Sequence, residues 1–324
     1  MSESMINKEK YRQLCEEEPT IPIFSQAWWL DAVAGDNWDV CIVEKGDKIQ
    51  ASMPYVVKKK YGLTLLTQPS LTQNLGPWIR PAHAKYSKLL SQQKDLMEAL
   101  IDQLPKYHYF NQNWHYSNTN WLPFYWKGFE QSTRYTYVIS SLDDINSIWE
   151  EAQDNIRREI RKAENRFGLV VNSDLPISVF FELNQLTFIR QGLSMPYSEH
   201  FVENIVNQAK KRKQCRWFIA QDNEDRNHAG VLLVWDSESA YYLMGGGDPD
   251  LRNSGATSLC MWEAIKFAST VTKRFDFEGS MIEPVERFFR AFGAKQTPYF
   301  ALTHRPSRWL NTAIHLKKAL KGQA

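Results

Sequence analysis

The chain has 324 residues, of which 43% are hydrophobic and 23% charged, and its formal net charge is +2. This length and apolar fraction allow two domains of ordinary size or one large domain. The near-neutral charge excludes a global electrostatic case for binding nucleic acid or an anionic membrane.

The cysteines and the N-terminus argue against two further classes of protein. Cys15, Cys41, Cys215 and Cys260 are widely spaced and form no C-x-x-C pair, so we expect neither a disulfide framework nor a metal site. The N-terminus is polar and lacks the apolar segment of a signal peptide. No run reaches the roughly 18 apolar residues of a membrane span. We therefore expect a cytoplasmic protein without a transmembrane segment, and the sequence leaves its oligomeric state open.

Hydrophobic periodicity in the first half of the chain predicts alternating helices and strands. A short helix over 24–33 is expected to have Ser25 as its N-cap, because serine often caps helix N-termini. A hairpin is expected over 38–57, with its turn at Lys45-Gly46-Asp47. The remaining elements predicted in this half are a strand over 63–67, a helix over 87–104, and strands over 107–112 and 135–139.

The second half begins with an amphipathic helix over 154–167, in which Ile156, Ile160, Ala163 and Phe167 form an apolar stripe. The elements predicted after it are helices over 178–192 and 198–212, strands over 216–220, 229–235 and 240–244, a helix over 254–271, a strand over 275–278, a helix over 285–292, a strand over 298–302 and a closing helix over 309–320.

A weak internal repeat indicates two domains of one fold. The similarity links Lys106-Tyr-His-Tyr-Phe-Asn-Gln to Lys273-Arg-Phe-Asp-Phe-Glu-Gly, and each copy continues with an aromatic helix and a tyrosine-containing strand. We place the domains at 1–141 and 142–324. The first copy has Lys85-Tyr86-Ser87 before its long helix, where the second copy has a small, glycine-containing loop. We therefore expect a donor site only in the second domain.

The segment that follows the strand over 240–244 has the features of a phosphate site. It contains Gly245-Gly246-Gly247 and then the loop Arg252-Asn253-Ser254-Gly255-Ala256-Thr257, which opens directly onto a predicted helix. A helix N-terminus has unpaired backbone N–H groups and a partial positive charge, so it favours a phosphate or pyrophosphate. The glycine run is consistent with a bulge or turn, and also with close approach of a ligand.

Three segments resemble the GNAT superfamily of N-acyltransferases, in its two-domain FemAB-like branch. They are the basic helix Asn155-Ile-Arg-Arg-Glu-Ile-Arg-Lys-Ala163, the loop Arg252-x-x-Gly255-Ala256, and Asp276-Phe-Glu-Gly279 followed by Phe288-Phe-Arg-Ala-Phe-Gly293. The resemblance implies an α/β (α+β) fold of tandem GNAT-like domains, each a mixed, mostly antiparallel sheet flanked by helices. It also implies acyl transfer to an amine, from acyl-CoA or, in the peptidoglycan branch, from aminoacyl-tRNA.

One departure from the family pattern bears on the donor. Peptidoglycan-building members usually carry Phe-Lys where this chain has Phe288-Phe289, and the cation follows only at Arg290. We therefore favour acyl-CoA, in particular acetyl-CoA, as the donor and expect no metal. The acceptor is expected to be a primary amine of a small or cell-envelope-related molecule. The residues expected to bind the donor are Val231, Leu232, Leu233, Arg252, Asn253, Ser254, Gly255, Ala256 and Thr257.

Amide formation from a thioester needs a base for the amine, a donor that polarises the carbonyl, and an acid for the leaving thiolate. Asp276 and Glu278 alternate on a predicted strand beside the donor loop, so either is a candidate base; a salt-bridged or capping pair is the alternative. Tyr242 is a candidate acid, or else a core tyrosine. Backbone N–H groups of the predicted strand over 229–235 are the candidate polarising donors.

A basic face is the candidate acceptor site. Arg157 and Arg161 share one face of their helix at i, i+4, and that face either is solvated or binds an acidic or phosphate-bearing acceptor. Tyr299 is a further candidate substrate-binding residue. Two functions compete with the acyl-CoA interpretation: an aminoacyl-tRNA-dependent transferase acting on a peptidoglycan precursor, and a non-catalytic ligand-binding module. The retained donor loop argues against the non-catalytic alternative.

Overall fold

The computed structural model describes residues 3–279 and 281–306, so the helix predicted over 309–320 lies outside the described residues. Within them the chain forms two compact units. Unit 1 comprises the described residues up to Arg134 and those from Tyr299 onward, and unit 2 comprises Tyr135–Pro298. The domain boundary predicted at 141/142 remains a prediction.

The elements up to the end of the strand that enters unit 2 follow in chain order. They are α1 (Glu3–Glu17), α2 (Ala27–Ala34), β1 (Trp38–Lys45), β2 (Lys48–Lys60), β3 (Leu63–Thr67), β4 (Trp78–Ile79), α3 (Tyr86–Asp102), β5 (Tyr109–Asn113), α4 (Leu122–Trp126) and β6 (Glu130–Ile139). The elements after them are α5 (Ile145–Glu151), α6 (Asp154–Asn165), β7 (Val170–Asn172), α7 (Ile177–Arg190), α8 (Glu199–Lys211), β8 (Cys215–Gln221), β9 (Asn227–Trp235), β10 (Ser239–Gly247), α9 (Ala256–Ala268), β11 (Arg274–Asp276), α10 (Glu283–Arg290) and β12 (Lys295–His304).

Unit 1 is built on a mixed sheet with the strand order β1-β2-β3-β5-β12, and β4 pairs with β2. Its pairs are antiparallel except for β3 and β5, which run parallel. A parallel bridge between Leu75 and Trp114 continues that pair beyond the strand ends. The buried side chains include Trp38, Phe110 and Leu302.

Unit 2 repeats the same arrangement with the strand order β6-β11-β10-β9-β8-β7. Its single parallel pair is β10 and β11, which the helix α9 connects just as α3 connects β3 to β5. Helices α5, α6 and α9 cover one face of this sheet and form a core with Val231 and Leu233. Helix α7 covers the other face, because the alternate residue Gly230 lies against Phe180. The fold class predicted from the resemblance is confirmed.

One predicted helix needs correction, and one helix was not predicted. Helix α2 begins at Ala27 rather than at Phe24, and Ser25 lies in a preceding 3-10 turn instead of capping the helix. Helix α1 was not predicted, because its apolar residues are sparse; its buried contacts come from Tyr11 and Leu14. Within the described residues, none of the helices combines the length and apolar character that crossing a bilayer requires.

Candidate active site

The loop before α9 has the conformation expected of an anion site. Residues Arg252–Ser254 form a 3-10 turn, and Gly255 follows with φ of 82° as the N-cap of α9. A Cβ at Gly255 would overlap the carbonyl oxygen of Glu159 in α6. Both the left-handed backbone and this close approach require glycine at this position. The loop is therefore held against α6 at a fixed place.

The groups that could bind an anion lie in the first turn of α9. Ser254 Oγ accepts a long hydrogen bond of 3.4 Å from the N–H of Ala256, and no side chain caps the helix. The N–H groups of the first turn have no acceptor within the helix, so they can bind an anion. Thr257, Asn253 and Arg252 are exposed, whereas Ser254, Gly255 and Ala256 are buried. The guanidinium of Arg252 forms no ion pair or hydrogen bond with any residue that the structure describes.

Strand β10 leaves an open edge directly before this loop. It pairs with β11 through three residue pairs that end at Tyr241 and Asp276. It then continues to Gly247 while pairing with β9, with a bulge between Tyr242 and Met244. From Tyr242 onward, no strand of the described chain pairs with β10 on the β11 side.

The glycine run of β10 is explained by contacts within the protein. A Cβ at Gly245 would overlap the hydroxyl oxygen of Tyr242, and one at Gly246 would overlap the backbone of Asn184 in α7. The run therefore lets a phenol and a helix backbone reach the strand. Neither contact requires a ligand.

The backbone donors predicted on β9 need correction. Val231, Leu232 and Leu233 are fully buried on an interior strand that pairs with β8 on one side and β10 on the other. Their backbone polar groups therefore belong to the two ladders. The strand with a free edge is β10, so backbone groups that could contact a donor lie there.

Asp276 and Glu278 do not share a strand face. Strand β11 ends at Asp276, and Glu278 lies beyond it with φ of 59°. Oδ1 of Asp276 accepts hydrogen bonds from Thr136 Oγ1 and, at 2.7 Å, from the backbone N–H of Glu278. Burial raises the pKa of Asp276 to about 6, although these two hydrogen bonds lower it. The carboxylate of Asp276 is thus bonded to the turn that carries Glu278.

Tyr241 and Tyr242 point to opposite faces of β10. Tyr241 is 1% exposed, and its hydroxyl donates to Asp236 Oδ2 at 3.3 Å. The ring of Tyr242 packs edge-on against Phe289 with centroids 5.7 Å apart, and its hydroxyl lies over Gly245. Burial raises the pKa of Tyr242, and the nearby Glu278 carboxylate raises it further. This phenol therefore stays protonated at neutral pH beside the open edge of β10.

Arg157 and Arg161 of α6 both contact Trp149 but differ in their bonding. Arg157 forms an ion pair with Asp154, and its Nη1 donates to the carbonyls of Glu150 at 3.2 Å and Trp149 at 3.4 Å, at the end of α5. Arg161 lies over the Trp149 ring, 5.8 Å from its centroid, and is exposed. The shared face predicted from the i, i+4 spacing is present. The Arg157 guanidinium is therefore bound within the protein, whereas the Arg161 guanidinium is exposed to solvent.

Tyr299 lies in unit 1, at the point where β12 leaves unit 2. The other predicted site residues, from Arg157 to Glu278, belong to unit 2. Tyr299 is half-buried. A role in binding substrate remains a prediction for this residue.

Sequence reasoning missed a buried amide at the open edge. Asn184 in α7 is 3% exposed; its Nδ2 donates to the Gly245 carbonyl at 2.7 Å, and its Oδ1 accepts from Tyr197 Oη at 3.0 Å. Burial raises the pKa of Tyr197 to about 12. A single asparagine between Leu183 and Leu186 of an apolar helix is the signal that could have found it. No group of His, Cys, Asp and Glu side chains within residues 3–279 and 281–306 is arranged to hold a metal ion.

A comparison with protein families finds one matching domain. The family model described as an acetyltransferase (GNAT) domain matches residues 151–290, which contain α6, the open edge of β10 and the loop before α9. No curated protein matches the sequence.

Solved structures share the fold over nearly the whole chain. FemX is 14% identical with a TM-score of 0.67, covering 90% of this chain and 95% of its own. The tandem GNAT protein from the clavulanic acid biosynthesis pathway is 10% identical with a TM-score of 0.54, covering 94% and 97%. L-PGS from Bacillus licheniformis is 11% identical with a TM-score of 0.55, covering 96% of each chain. Identities this low show a common fold, and the family model supports the resemblance to a GNAT domain over residues 151–290.

Proposed function

We propose that this chain is an acyltransferase of the GNAT type and that it transfers an acyl group from acyl-CoA to a primary amine, because residues 151–290 match the acetyltransferase (GNAT) domain model. Acetyl-CoA is the donor we favour. The acceptor we favour is a small or cell-envelope-related molecule, as the FemAB-like resemblance of the sequence implies. The observation that carries the proposal is the open edge of β10, which leads to the N-terminus of α9.

The open edge suits the amide-containing arm of an acyl-CoA. An extended ligand can add to an exposed strand edge through main-chain hydrogen bonds. Pairing of β10 with β11 ends at Tyr241, and β10 runs on to Gly247. The Gly245 carbonyl already accepts a hydrogen bond from Asn184. We therefore propose that the amide-containing arm of acyl-CoA binds the backbone groups of β10 nearest Tyr242. Unit 1 differs at the equivalent place. There the parallel pair of β3 and β5 is extended by a bridge between Leu75 and Trp114, whereas no such bridge extends the pair of β10 and β11 among the described residues.

The loop before α9 suits the pyrophosphate of the same donor. The helix N-terminus supplies N–H groups and a partial positive charge, and the exposed Arg252 adds a full one. We assign to this anion the backbone from Arg252 to Thr257. Gly255 and Ala256 are buried there, so their contribution is to fix the loop rather than to expose side chains.

The residues near Tyr242 can move the protons that amide formation requires. The amine nitrogen forms the new C–N bond, the C–S bond breaks, and the sulfur leaves as a thiolate. We assign the amine proton to the carboxylate of Glu278 and the thiolate's new proton to the Tyr242 phenol. The Tyr242 phenol is protonated at neutral pH, and Glu278 lies close enough to affect its pKa. After turnover Glu278 releases its proton to solvent and the Tyr242 phenolate takes one up, so both groups return to their starting states.

A second candidate, an aminoacyl-tRNA donor, is favoured by the fold. FemX has a TM-score of 0.67 with this chain, and the FemAB-like resemblance of the sequence implies aminoacyl transfer onto peptidoglycan precursors. Phe289 and Arg290 depart from the Phe-Lys of that branch, so this donor ranks second.

Binding of the donor separates the two candidates. Thermal unfolding of the purified chain is measured with CoA, acetyl-CoA or aminoacyl-tRNA. A ligand at 100 times its Kd stabilises the folded state by about 2.7 kcal/mol, so CoA should raise the Tm clearly. A Tm unmoved by millimolar CoA and acetyl-CoA, but raised by aminoacyl-tRNA, would replace the first proposal with the second.

A further inference from the structure

Unit 1 contains a cavity of about 240 Å³ that is separate from the residues assigned to acyl transfer. Its walls come from four segments: the connection between α1 and α2, the residues from Leu75 to Pro81, helix α3, and residues 115–120. Among the described residues that line it, none is Asp, Glu, Lys or Arg, and the one imidazole, His115, accepts a hydrogen bond at Nδ1 from the Ser117 N–H. The cavity therefore contains no carboxylate, ammonium or guanidinium group.

Three amide side chains in the wall are fixed, yet each keeps a free polar atom. Nδ2 of Asn118 donates to the carbonyl of Pro77 at 3.0 Å, and Nδ2 of Asn120 donates to Oε1 of Gln93 at 3.2 Å. No described residue bonds to Oδ1 of Asn118, Oδ1 of Asn120 or Nε2 of Gln93. The wall thus presents two oriented acceptors and one oriented donor, and the exposed hydroxyl of Thr119 lies beside them.

The remaining wall is rigid. Nε1 of Trp78 donates to Thr20 Oγ1 at 2.9 Å, which fixes the indole at one end of the cavity. Gly76 packs against Trp114 so closely that a Cβ there would lie 2.6 Å from Cδ1 of the indole. A preformed wall binds a ligand without the cost of ordering its side chains.

These features select the chemistry of a ligand. A charged group would enter without a counter-charge, which is costly in a partly enclosed site. A hydroxyl both donates and accepts, so adjacent hydroxyls match a mixed set of amide donors and acceptors. The volume lies below the roughly 300–1,000 Å³ of pockets for drug-sized ligands, so it fits a single ring. Trp78 is buried, so it offers no open face on which a nucleobase could stack.

We propose that this cavity binds one neutral sugar ring, free or as part of a larger molecule. The assignment depends only on residues of unit 1 and does not require acyl transfer. Gln93, Asn118, Asn120 and Thr119 bind the ring hydroxyls, and the lack of carboxylate, ammonium and guanidinium groups in the wall disfavours acidic and amino sugars.

Saturation-transfer NMR on the full chain tests the proposal without any acyl donor. The probes are N-acetylglucosamine and glucose, with glucuronic acid, glucosamine and uridine as comparators. Each is used at about 10 mM, ten times a Kd of about 1 mM for a single ring. We expect transfer to the neutral sugars and several-fold weaker transfer to the comparators. No transfer to the neutral sugars, or stronger transfer to a charged sugar or uridine, would overturn the proposal.

Two variants and a matched control locate the binding. Gln93→Ala removes the free donor, and losing one hydrogen bond should weaken sugar binding about three- to tenfold. Gln131→Ala makes the same change outside the cavity and should leave binding as in the wild type. Thr119→Val alters an exposed loop residue and should also weaken sugar binding. Because this change should not affect folding, it tests the proposal even if Gln93→Ala does not fold. If Thr119→Val, Gln131→Ala and the wild type bind the sugar equally, the sugar does not bind in this cavity.

Discussion

Glu278 donates its backbone N–H to Oδ1 of Asp276 at 2.7 Å, and this contact separates the roles of the two carboxylates. Asp276 is 4% exposed and also accepts from Thr136, so its oxygen is used in shaping the turn. Glu278 has φ of 59°, a strained value for a residue other than glycine. The bond from Asp276 helps to hold that conformation. Asp276 is therefore the positioning residue, and Glu278 is the carboxylate that we propose takes the proton.

Substitution of the two carboxylates should give different kinetics. Glu278→Gln removes the base and should lower kcat about 10²–10⁴-fold with donor binding unchanged. Asp276→Asn keeps an acceptor oxygen for Glu278 and Thr136, so it should retain most of the activity. Asp276→Ala removes that acceptor and should lower kcat along with stability. Steady-state kinetics with acetyl-CoA and an amine acceptor measure all three.

The reverse pattern would reassign the base. If Asp276→Asn loses activity while Glu278→Gln keeps it, Asp276 accepts the proton itself. If both variants retain wild-type kcat from pH 6 to 9, water or the substrate takes the proton and both carboxylates are structural.

The raised pKa of Asp276 also predicts a pH dependence of stability. Its folded value of about 6 lies above the ordinary 3.8, so between these values the native state holds a proton that the unfolded state has released. The free energy of unfolding must therefore fall as pH rises through that range. The full difference is about 3 kcal/mol at 1.36 kcal/mol per pKa unit. Asp276→Asn should abolish this component and be the more stable protein at pH 7.

Urea unfolding at pH 4, 5, 6 and 7.5 measures this effect as the difference between the wild type and Asp276→Asn. Taking the difference cancels the contributions of other titrating groups. A difference that stays constant across the four pH values would mean that Asp276 titrates normally in the folded protein.

The conformation of the loop before α9 could be predicted from sequence because its signals are local. Small residues before an apolar helix specify a helix N-terminus, and Gly255 takes the left-handed conformation that glycine allows. The same holds for the parallel pair around α9, since strand, helix and strand follow each other in order. Periodicity also placed Ile156 and Ile160 on the buried face of α6 correctly, whereas Phe167 lies beyond the end of this helix and is exposed.

The rest of the site depends on contacts between distant residues. Phe277 and Glu278 continue an alternating pattern, so only the hydrogen bond to Asp276 reveals that the strand has ended. The backbone of Val231 to Leu233 was predicted to contact the donor, because no local feature of the sequence shows that β9 has a neighbouring strand on both sides. The partner of Asn184 lies 61 residues away at Gly245. Pairings of this kind are fixed by tertiary structure, which periodicity does not encode.

Arg252 should contribute to binding the donor without contributing to the fold. Its side chain is exposed, and it has no partner among the described residues, so Arg252→Ala should leave the Tm of the free protein within about 1 °C of the wild type. Losing one charge contact to a phosphate should weaken CoA binding roughly tenfold. Isothermal titration with CoA measures this change.

Arg158→Ala is the matched control, because Arg158 is an exposed arginine on α6. Equal CoA affinity in the two variants would contradict a phosphate role for Arg252. Substitution of Gly255 is a poor test of the same loop, because any side chain would overlap Glu159 and disturb the fold.

Asn184 should support both the fold and the open edge of β10. Asn184→Leu leaves the Gly245 carbonyl without its side-chain donor in a buried setting, which should cost about 1–3 kcal/mol of unfolding free energy. Tyr197→Phe removes only the bond to Asn184 Oδ1 and should cost about 0.5–1.5 kcal/mol. Denaturant titration ranks the two variants. A larger loss in Tyr197→Phe than in Asn184→Leu would show that the amide does not anchor this edge.

Arg157 and Arg161 should separate stability from acceptor binding. Arg157 binds the last carbonyls of α5 and pairs with Asp154, so Arg157→Ala should destabilise the protein by about 1 kcal/mol. Arg161 packs over the Trp149 ring and lies near enough to Asp154 to lower the pKa of that carboxyl, so Arg161→Ala should change stability by about 0.5 kcal/mol or less. If the acceptor carries an acidic or phosphate group that docks on this face, Arg161→Ala should raise KM roughly three- to tenfold and leave kcat unchanged.

Arg166→Ala, near the end of the same helix, serves as the control for a general loss of positive charge. An unchanged KM in Arg161→Ala, or an equal rise in Arg166→Ala, would show that this face does not bind the acceptor specifically.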